Sequence, residues 1–255
     1  MKKTLLIARY TLLEVLKSKI LVGVSLMGLA VFLLSALASG FAYGNPKKVA
    51  LDLGLGLMSL SLLGIALFMG VNLLSKEIRE RTIYLTLARG VSRSSFLLGK
   101  ILGLSAVLFL NVLILSGFVI LVYLYYGGSL NYLFFFSILF SYISSLILLN
   151  VVLFFSLFTN INLATIYSII IFSAGSVLNE TALLLYVSQR ASLLRFLKVL
   201  KGILPNFSIL NIRDFVLYQN DLTPRFLFGS CLYGFLYAFV LLSLSCYILA
   251  QKDLD

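Results

Sequence analysis

Between Lys100 and Glu180 the chain runs for 79 consecutive residues without a charged side chain. A bilayer crossing needs about 20 mainly apolar residues, so this stretch has room for two complete spans and most of a third. Over the whole chain, 61% of the 255 residues are hydrophobic and 11% are charged, whereas soluble domains carry about 25% charged residues. This composition excludes a soluble enzyme, a disordered chain and a disulfide-stapled module. It indicates a polytopic membrane protein.

Six stretches are long and apolar enough to cross a membrane. They cover residues 20–43, 49–74, 97–126, 131–157, 162–188 and 226–250. Backbone polar groups in lipid must be satisfied within the protein, which leaves helices or closed barrels. Barrel strands alternate polar and apolar residues, and these runs are continuous. The sequence therefore predicts an all-α polytopic membrane protein with six transmembrane helices in a single domain, 1–255.

An amphipathic segment precedes the first span. Within residues 4–19, apolar residues such as Leu5, Ala8 and Val15 follow helical spacing, while Glu14 projects from the other side. This pattern predicts an N-terminal interfacial elbow helix along the inner membrane face. The alternative is an ordinary charged tail before the first span.

The distribution of basic residues predicts the orientation. Segments 1–19, 75–96 and 251–255, together with Lys100, hold 12 of the 20 Lys and Arg residues. Short positively charged segments tend to stay in the cytoplasm, whereas the charges of long loops have little influence on the orientation. Both termini are therefore expected in the cytoplasm, with the long loop 189–225 outside.

That outer loop contains a second amphipathic pattern. Leucines recur every three or four residues between positions 193 and 204, and basic residues share another face. This predicts an outer amphipathic helix before the last span. It serves either as an outer gate or lipid-headgroup contact, or only as a helix lying at the interface. The residues assigned to this gate or lipid contact are Arg195, Lys198, Lys201, Pro205 and Asn206.

The connection 75–96, between the second and third spans, is longer than a bare hairpin requires. Lys76 and Glu80 stand at i,i+4 spacing, as do Glu77 and Arg81, so ion pairs are expected along one helical face. An apolar run follows. The combination predicts an ordered cytoplasmic docking surface, and the alternative is a solvated helix extension without a partner.

A family resemblance rests on this connection. The run 76–85, continued by 90–93 and 96–103, resembles the ABC-2-type permeases of ATP-binding cassette transporters, and most closely their branch associated with nitrous-oxide-reductase maturation. Residues 204–207 before the last span are similar to that branch as well. One departure is Gly90, where related chains often carry proline.

The resemblance implies a half-transporter in the plasma (inner) membrane of a prokaryote, with export as the expected direction. This chain would pair with a second copy of itself or a related permease, and with two copies of a cytoplasmic ABC ATPase subunit. In the family, the loop after span two holds a coupling helix, here 77–93. The residues thereby expected to contact the ATPase are Glu77, Glu80, Arg81, Thr82, Tyr84, Arg89 and Arg93.

Nothing in the sequence encodes ATP chemistry. There is no G-x-x-x-x-G-K-[ST] phosphate loop, so ATP and magnesium are expected on the partner, and this chain is not expected to be an enzyme or to bind a cofactor. It has no His, which excludes His-ligated metals, and no metal site is predicted. No run of basic residues is interleaved with the aromatic residues that stack on nucleic-acid bases. Membrane lipids rather than nucleic acid are therefore the expected contacts.

Glu180 is an intramembrane polar candidate near the outer end of the fifth span. Carboxylates within a membrane are usually functional, whereas an earlier end to the span would make Glu180 an outer-surface residue.

A secondary transporter and a non-catalytic scaffold subunit are the alternative functions, although a secondary transporter favours internal repeats and paired buried charges. The sequence does not select among lipids, peptides, drugs, glycans and metal-related cargo as substrate.

Overall fold

The structure is a computed structural model that describes residues 2–17, 20–42, 44–79, 91–183, 191–218 and 220–251. Within those ranges the chain forms nine α-helices and one short 3-10 helix, and no β-strand. The helices are α1 (Lys2–Lys17), α2 (Ile20–Gly40), α3 (Pro46–Arg79), α4 (Arg93–Tyr125), α5 (Tyr132–Ser156), α6 (Ile161–Leu183), α7 (Ala191–Ile203), α8 (Arg213–Tyr218) and α9 (Pro224–Gln251), with the 3-10 helix at Phe207–Leu210. The predicted all-α class is confirmed.

Five helices have the length and apolar composition of membrane spans. These segments are Val22–Gly40, Pro46–Val71, Arg93–Tyr125, Tyr132–Ser156 and Pro224–Gln251. In α6 the corresponding apolar stretch of the described chain is Ile161–Val177, which is shorter than the roughly 20 residues that a crossing needs. The multi-pass character is therefore supported, and the sixth crossing stays a prediction.

Helices α3, α4 and α5 form the centre of the bundle, where Leu62, Leu108 and Phe140 are fully buried. By contrast, α2 and α9 expose large apolar side chains along much of their length, such as Leu37 and Phe239. Soluble proteins rarely expose so wide an apolar surface. The exposed surfaces of α2 and α9 are therefore suited to contact with lipid.

The two ends of the bundle differ. At one end, called the loop end here, lie the connections that follow α2 and α4 together with residues 203–218. The hydroxyl of Tyr126 donates to the carbonyl oxygen of Ala36 at 2.8 Å and ties one connection to α2. The opposite end, called the terminal end, carries α1, the start of α4 and the end of α9, with Arg93 donating to the carbonyl oxygens of the last turn of α9.

Helix boundaries follow local sequence signals. Ser92 caps α4, because its hydroxyl oxygen accepts the backbone N–H of Ser95 at 3.3 Å, as expected for a serine at this position. Helix α7 ends at Ile203, two residues before Pro205. Gly127 adopts a φ of +76° in the turn after α4, a conformation that costs little only for glycine.

Helix α1 packs on α4 at a pair of glycines. A Cβ atom placed on Gly99 would lie 2.7 Å from the Cβ of Ile7, and one on Gly103 would lie 2.6 Å from the Cβ of Thr11. The four-residue spacing of this pair predicts close helix contact, and the structure confirms it. Only glycine allows the two backbones to approach this closely.

The residues of α1 that lie against the bundle are not all apolar. Leu5 is 72% exposed, whereas Thr11 and Val15 are buried. Glu14, expected on the opposite face, places its Oε2 atom 3.6 Å from Nζ of the buried Lys100. Ile7 and Thr11 pack on the two glycines of α4, whereas Leu5 projects away from this contact. The position of α1 along the inner membrane face stays a prediction.

Candidate functional site

A polar cavity lies between α3, α5, α6 and the segment that precedes α9, and it is partly open at the loop end, where Asn211 and Asp214 are exposed. Its volume is 210 Å³. The wall is unusually rich in hydroxyl groups for an interior enclosed by membrane-type helices. Its polar lining residues are Ser59, Ser137, Ser141, Ser144, Ser176, Ser208, Asn211, Arg213 and Asp214.

The serine hydroxyls of this wall have defined hydrogen-bond roles. The hydroxyl of Ser59 donates to the carbonyl oxygen of Gly56 at 2.8 Å, and Ser141 and Ser176 donate to carbonyl oxygens one turn earlier at 2.9 Å and 2.8 Å. A carbonyl can only accept, so in each contact the serine must supply the proton. Each oxygen keeps its lone pairs, and these three serines therefore act as acceptors toward the cavity.

Ser137 differs from these three. Its side chain lines the cavity and the residue is only 6% exposed, yet its hydroxyl makes no hydrogen bond to any residue in the described ranges. Buried polar groups are nearly always satisfied by protein or by ordered water. The Ser137 hydroxyl is thus one of the polar groups that the cavity wall offers to water or a polar ligand.

An ion pair lies at the loop end of the cavity. The Nε atom of Arg213 lies 2.9 Å from Oδ1 of Asp52, although the N–H direction is not aligned for a hydrogen bond, so the attraction is mainly ionic. The guanidinium lies against α3, where a Cβ on Gly56 would come within 2.5 Å of its Nη1 atom. Both partners are about one-third exposed, and exposed pairs contribute at most about 1 kcal/mol. The pair orients Arg213 more than it stabilises the fold.

Segment 203–212 folds back against the bundle and forms part of the cavity wall. The hydroxyl of Tyr237 donates to the carbonyl oxygen of Ile203, and the hydroxyl of Tyr233 accepts the backbone N–H of Asn206, both at 2.8 Å. Phe207 is buried and packs edge-to-face on Phe172 of α6, with ring centroids 4.9 Å apart. We call residues 203–212 the cover segment. It is held by both α6 and α9.

The predicted gate and lipid-contact residues divide into two groups. Pro205 is buried in the cover segment, and Asn206 accepts the hydroxyl of Ser208, a cavity-lining residue, at 2.9 Å. Arg195 is exposed on α7 and Lys201 is half-buried near its end. The side chain of Lys198 lies outside the described residues. Of the predicted gate residues whose side chains the structure describes, Pro205 and Asn206 are the ones next to the cavity.

Most of the predicted ATPase-contact residues, namely Glu80, Arg81, Thr82, Tyr84 and Arg89, lie outside the described residues. Helix α3 continues through Glu77 and is described as far as Arg79. Arg93 begins α4 and donates to the carbonyl oxygens of Leu249 and Ala250 at 3.4 Å and 3.3 Å. A basic side chain at a helix C-terminus suits the dipole there. Contact of these residues with an ATPase stays a prediction.

Glu180 belongs to the helical backbone of α6, but its side chain lies outside the described residues. The described chain contains no group of three or more His, Cys, Asp or Glu residues that is able to hold a metal ion. The cysteines Cys231 and Cys246 are both free.

A larger groove of 550 Å³ lies between α2 and α4 at the loop end, bordered by residues such as Leu33 and Tyr125. Its lining is almost entirely aliphatic and aromatic, so lipid tails are sufficient to cover it. Because the serine-lined cavity offers directed hydrogen bonds and charge, it is the stronger candidate for selective binding.

Sequence reasoning missed the main components of this cavity. Asp52 stands out as a charge inside an apolar stretch, but its partner Arg213 lies far away in the sequence. The serines at 137, 141 and 144 follow i, i+4, i+7 spacing, which places them on one face of a helix. That spacing was the one sequence signal from which a polar helix face could have been predicted.

The chain matches no protein-family model and no curated protein, so the family resemblance is not supported by a match.

Proposed function

We propose that this chain is the transmembrane permease subunit of an ATP-binding cassette transporter of the ABC-2 type. It forms a substrate pathway and couples to a separate ATPase subunit, with export as the direction of transport. The observation that carries the proposal is the hydroxyl-lined cavity within an otherwise apolar helical bundle. A scaffold subunit has no need for a polar cavity, whereas a permease needs a place for solute.

The length of α3 supports the coupling part of the proposal. Its 34 residues extend about 51 Å at 1.5 Å per residue, whereas the hydrocarbon core is about 30 Å thick. The helix begins at the loop end, so its charged last turns extend past the apolar region at the terminal end. Such an extension offers a rigid connection between an ATPase and the cavity wall. The proposal assigns this end to the cytoplasm.

Two further contacts at the terminal end connect helices, so a displacement of one helix is transmitted to the others. Arg93 joins the start of α4 to the last turn of α9, and the contact of Glu14 with Lys100 joins α1 to α4. A partner that pushes on the connection after α3 therefore acts on α4, which packs against the cavity-wall helices α3 and α5. Rigid-body shifts of packed helices are a common means of transmitting such a change.

The test is a double substitution, Glu80→Ala with Arg81→Ala, in the full chain isolated from its native membrane. We expect the amount of ATPase subunit isolated per permease to fall, since losing a charged hydrogen bond costs about 1.5–3 kcal/mol, or roughly 10- to 150-fold in affinity. The copurified subunit is identified by mass spectrometry and by ATP hydrolysis.

The control is Arg195→Ala, which also removes a charge but on the exposed face of α7. It is expected to isolate the same amount of ATPase as the parent chain. If the double variant also assembles and hydrolyses ATP as the parent does, the connection after α3 is not the coupling surface.

A further inference from the structure

The apolar groove between α2 and α4 has the length of one lipid tail. Along α2 it extends from Phe32 to Gly40, which is about 12 Å at 1.5 Å per residue. One leaflet contributes half of the roughly 30 Å hydrocarbon core of a bilayer, or about 15 Å. The groove volume of 550 Å³ lies within the range of about 300–1,000 Å³ that is typical of ligand sites. An acyl chain therefore fits the groove in both length and chemistry.

Two lysines in the first turn of α3 lie beside the loop end of this groove. Lys47 and Lys48 are exposed, and together with Tyr123 they line a small hollow. Tyr123 directly follows Val122, which borders the groove, so the hollow and the groove share the last turn of α4. The Nζ atom of Lys48 lies 5.4 Å from the centre of the Tyr218 ring. The two positive charges are thus placed at the end of the groove where the headgroup of a bound lipid would lie.

Nearby carboxylates do not compensate these two charges. Neither ammonium group forms an ion pair with a described residue. Asp52, one turn after Lys48, lies 2.9 Å from Nε of Arg213, which balances its charge. Asp214 lines the serine-lined cavity instead of this hollow, and Asp221 accepts a hydrogen bond from the first residue of α5. The described lining of the hollow therefore carries two positive charges, and an anion is favoured there.

From these observations we infer that the loop end of α2, α3 and α4 binds one anionic phospholipid. Its acyl chain lies in the groove and its phosphate lies against Lys47 and Lys48. The groove alone would accept any lipid tail and the lysines alone would accept any anion, whereas the combination selects a lipid with a net negative headgroup. This site is separate from the lipid contact predicted on α7, and it goes beyond the proposed function because it requires neither transport nor an ATPase.

The test uses native mass spectrometry of the full chain in detergent micelles, with one lipid added at a time. The probes are dioleoyl phosphatidylglycerol and dioleoyl phosphatidylcholine, which share acyl chains and a phosphate but differ in net charge. We expect the chain to retain at least about tenfold more phosphatidylglycerol, since each lysine near a membrane surface contributes about fivefold to the binding of an anionic lipid. Excess inorganic phosphate is expected to leave the lipid bound, because it has no acyl chain.

A double substitution locates the headgroup. Lys47→Gln with Lys48→Gln removes both charges and is expected to lower the retention of phosphatidylglycerol about tenfold or more. The matched control is Arg225→Gln, because Arg225 is also exposed and also follows a proline that begins a helix, here α9. This control removes a positive charge at the loop end and is expected to leave retention unchanged.

A second substitution, Gly40→Leu, tests the groove. The nearest atom to a Cβ placed on Gly40 is Oη of Tyr126 at 3.6 Å, an ordinary contact, so the leucine enters the groove without displacing the backbone. It is expected to lower the retention of both lipids about fivefold or more, because it excludes methylenes of the acyl chain from the groove. The control on the same helix is Gly23→Leu, since no atom lies within 4 Å of a Cβ placed there.

Equal retention of the two lipids, displacement by inorganic phosphate, or an equal loss in the Arg225→Gln control would overturn the inference. So would retention of phosphatidylglycerol that the lysine double variant or Gly40→Leu leaves unchanged. If a second copy of this chain occupies the groove instead, Gly40→Leu will lower the proportion of dimer in the same spectra without lowering lipid retention, which also overturns the inference. Because no ATPase is present, the outcome is independent of the permease proposal.

Discussion

Replacing Gly175 with leucine is expected to displace the cover segment and open the serine-lined cavity. A Cβ atom at this position would collide with the carbonyl oxygen of Pro205 and lie 2.9 Å from the ring of Phe207. Inserting side-chain atoms into such a packed contact costs about 1–3 kcal/mol. Opening of the segment should therefore become about 5- to 150-fold more frequent.

The measurement is the rate of maleimide labelling at a cysteine that replaces Ser141, with Cys231 and Cys246 changed to serine. Labelling should accelerate in the Gly175→Leu chain. Gly229→Leu is the control, because no atom lies within 4 Å of a Cβ placed there. An unchanged labelling rate, or an equal acceleration in the control, would show that the cover segment does not close the cavity.

The second large effect is expected from Gly103→Leu, which removes the surface on which α1 packs. A Cβ atom placed on Gly103 would lie 2.6 Å from the Cβ of Thr11 and 2.8 Å from the carbonyl oxygen of Ala8, so the new side chain would displace both. A loss of about 1–3 kcal/mol corresponds to a fall of roughly 2–12 °C in the thermal unfolding midpoint for a chain of this size.

Trypsin provides a second readout, because α1 contains the basic residues Lys3, Arg9 and Lys17. Detachment of α1 from α4 should increase the cleavage rate in this helix. Gly117→Leu is a matched control on the same helix α4, since its surroundings are open. Equal effects of the two substitutions would contradict a specific role for the glycine pair in holding α1.

The long helices were predictable from the sequence because membrane helices must satisfy their own backbone and must be apolar for about 20 residues. The N-cap at Ser92, the end of α7 before Pro205 and the close contact at Gly99 and Gly103 also follow from local rules. Each of these features depends on residues that are near one another in the chain.

The cavity depends on tertiary contacts that local rules do not contain. The serines at 137, 141 and 144 share a helix face, but only the placement of α3 and α6 decides whether that face meets lipid, another helix or a cavity. Likewise, nothing near Asp52 in the sequence identifies Arg213 as its partner. The burial of Thr11 on α1 was not predicted, because it depends on the placement of Gly103 of α4 beside it.

The central claim, that this chain is a permease that relies on a separate ATPase, is tested most directly by isolating the chain with and without its partner and measuring equilibrium ATP binding. The account predicts a complex containing two permease subunits and two ATPase subunits that binds ATP saturably, and no saturable binding by the purified chain alone. Saturable ATP binding by the chain alone, or isolation of the chain from its native membrane without any ATP-hydrolysing subunit, would contradict it.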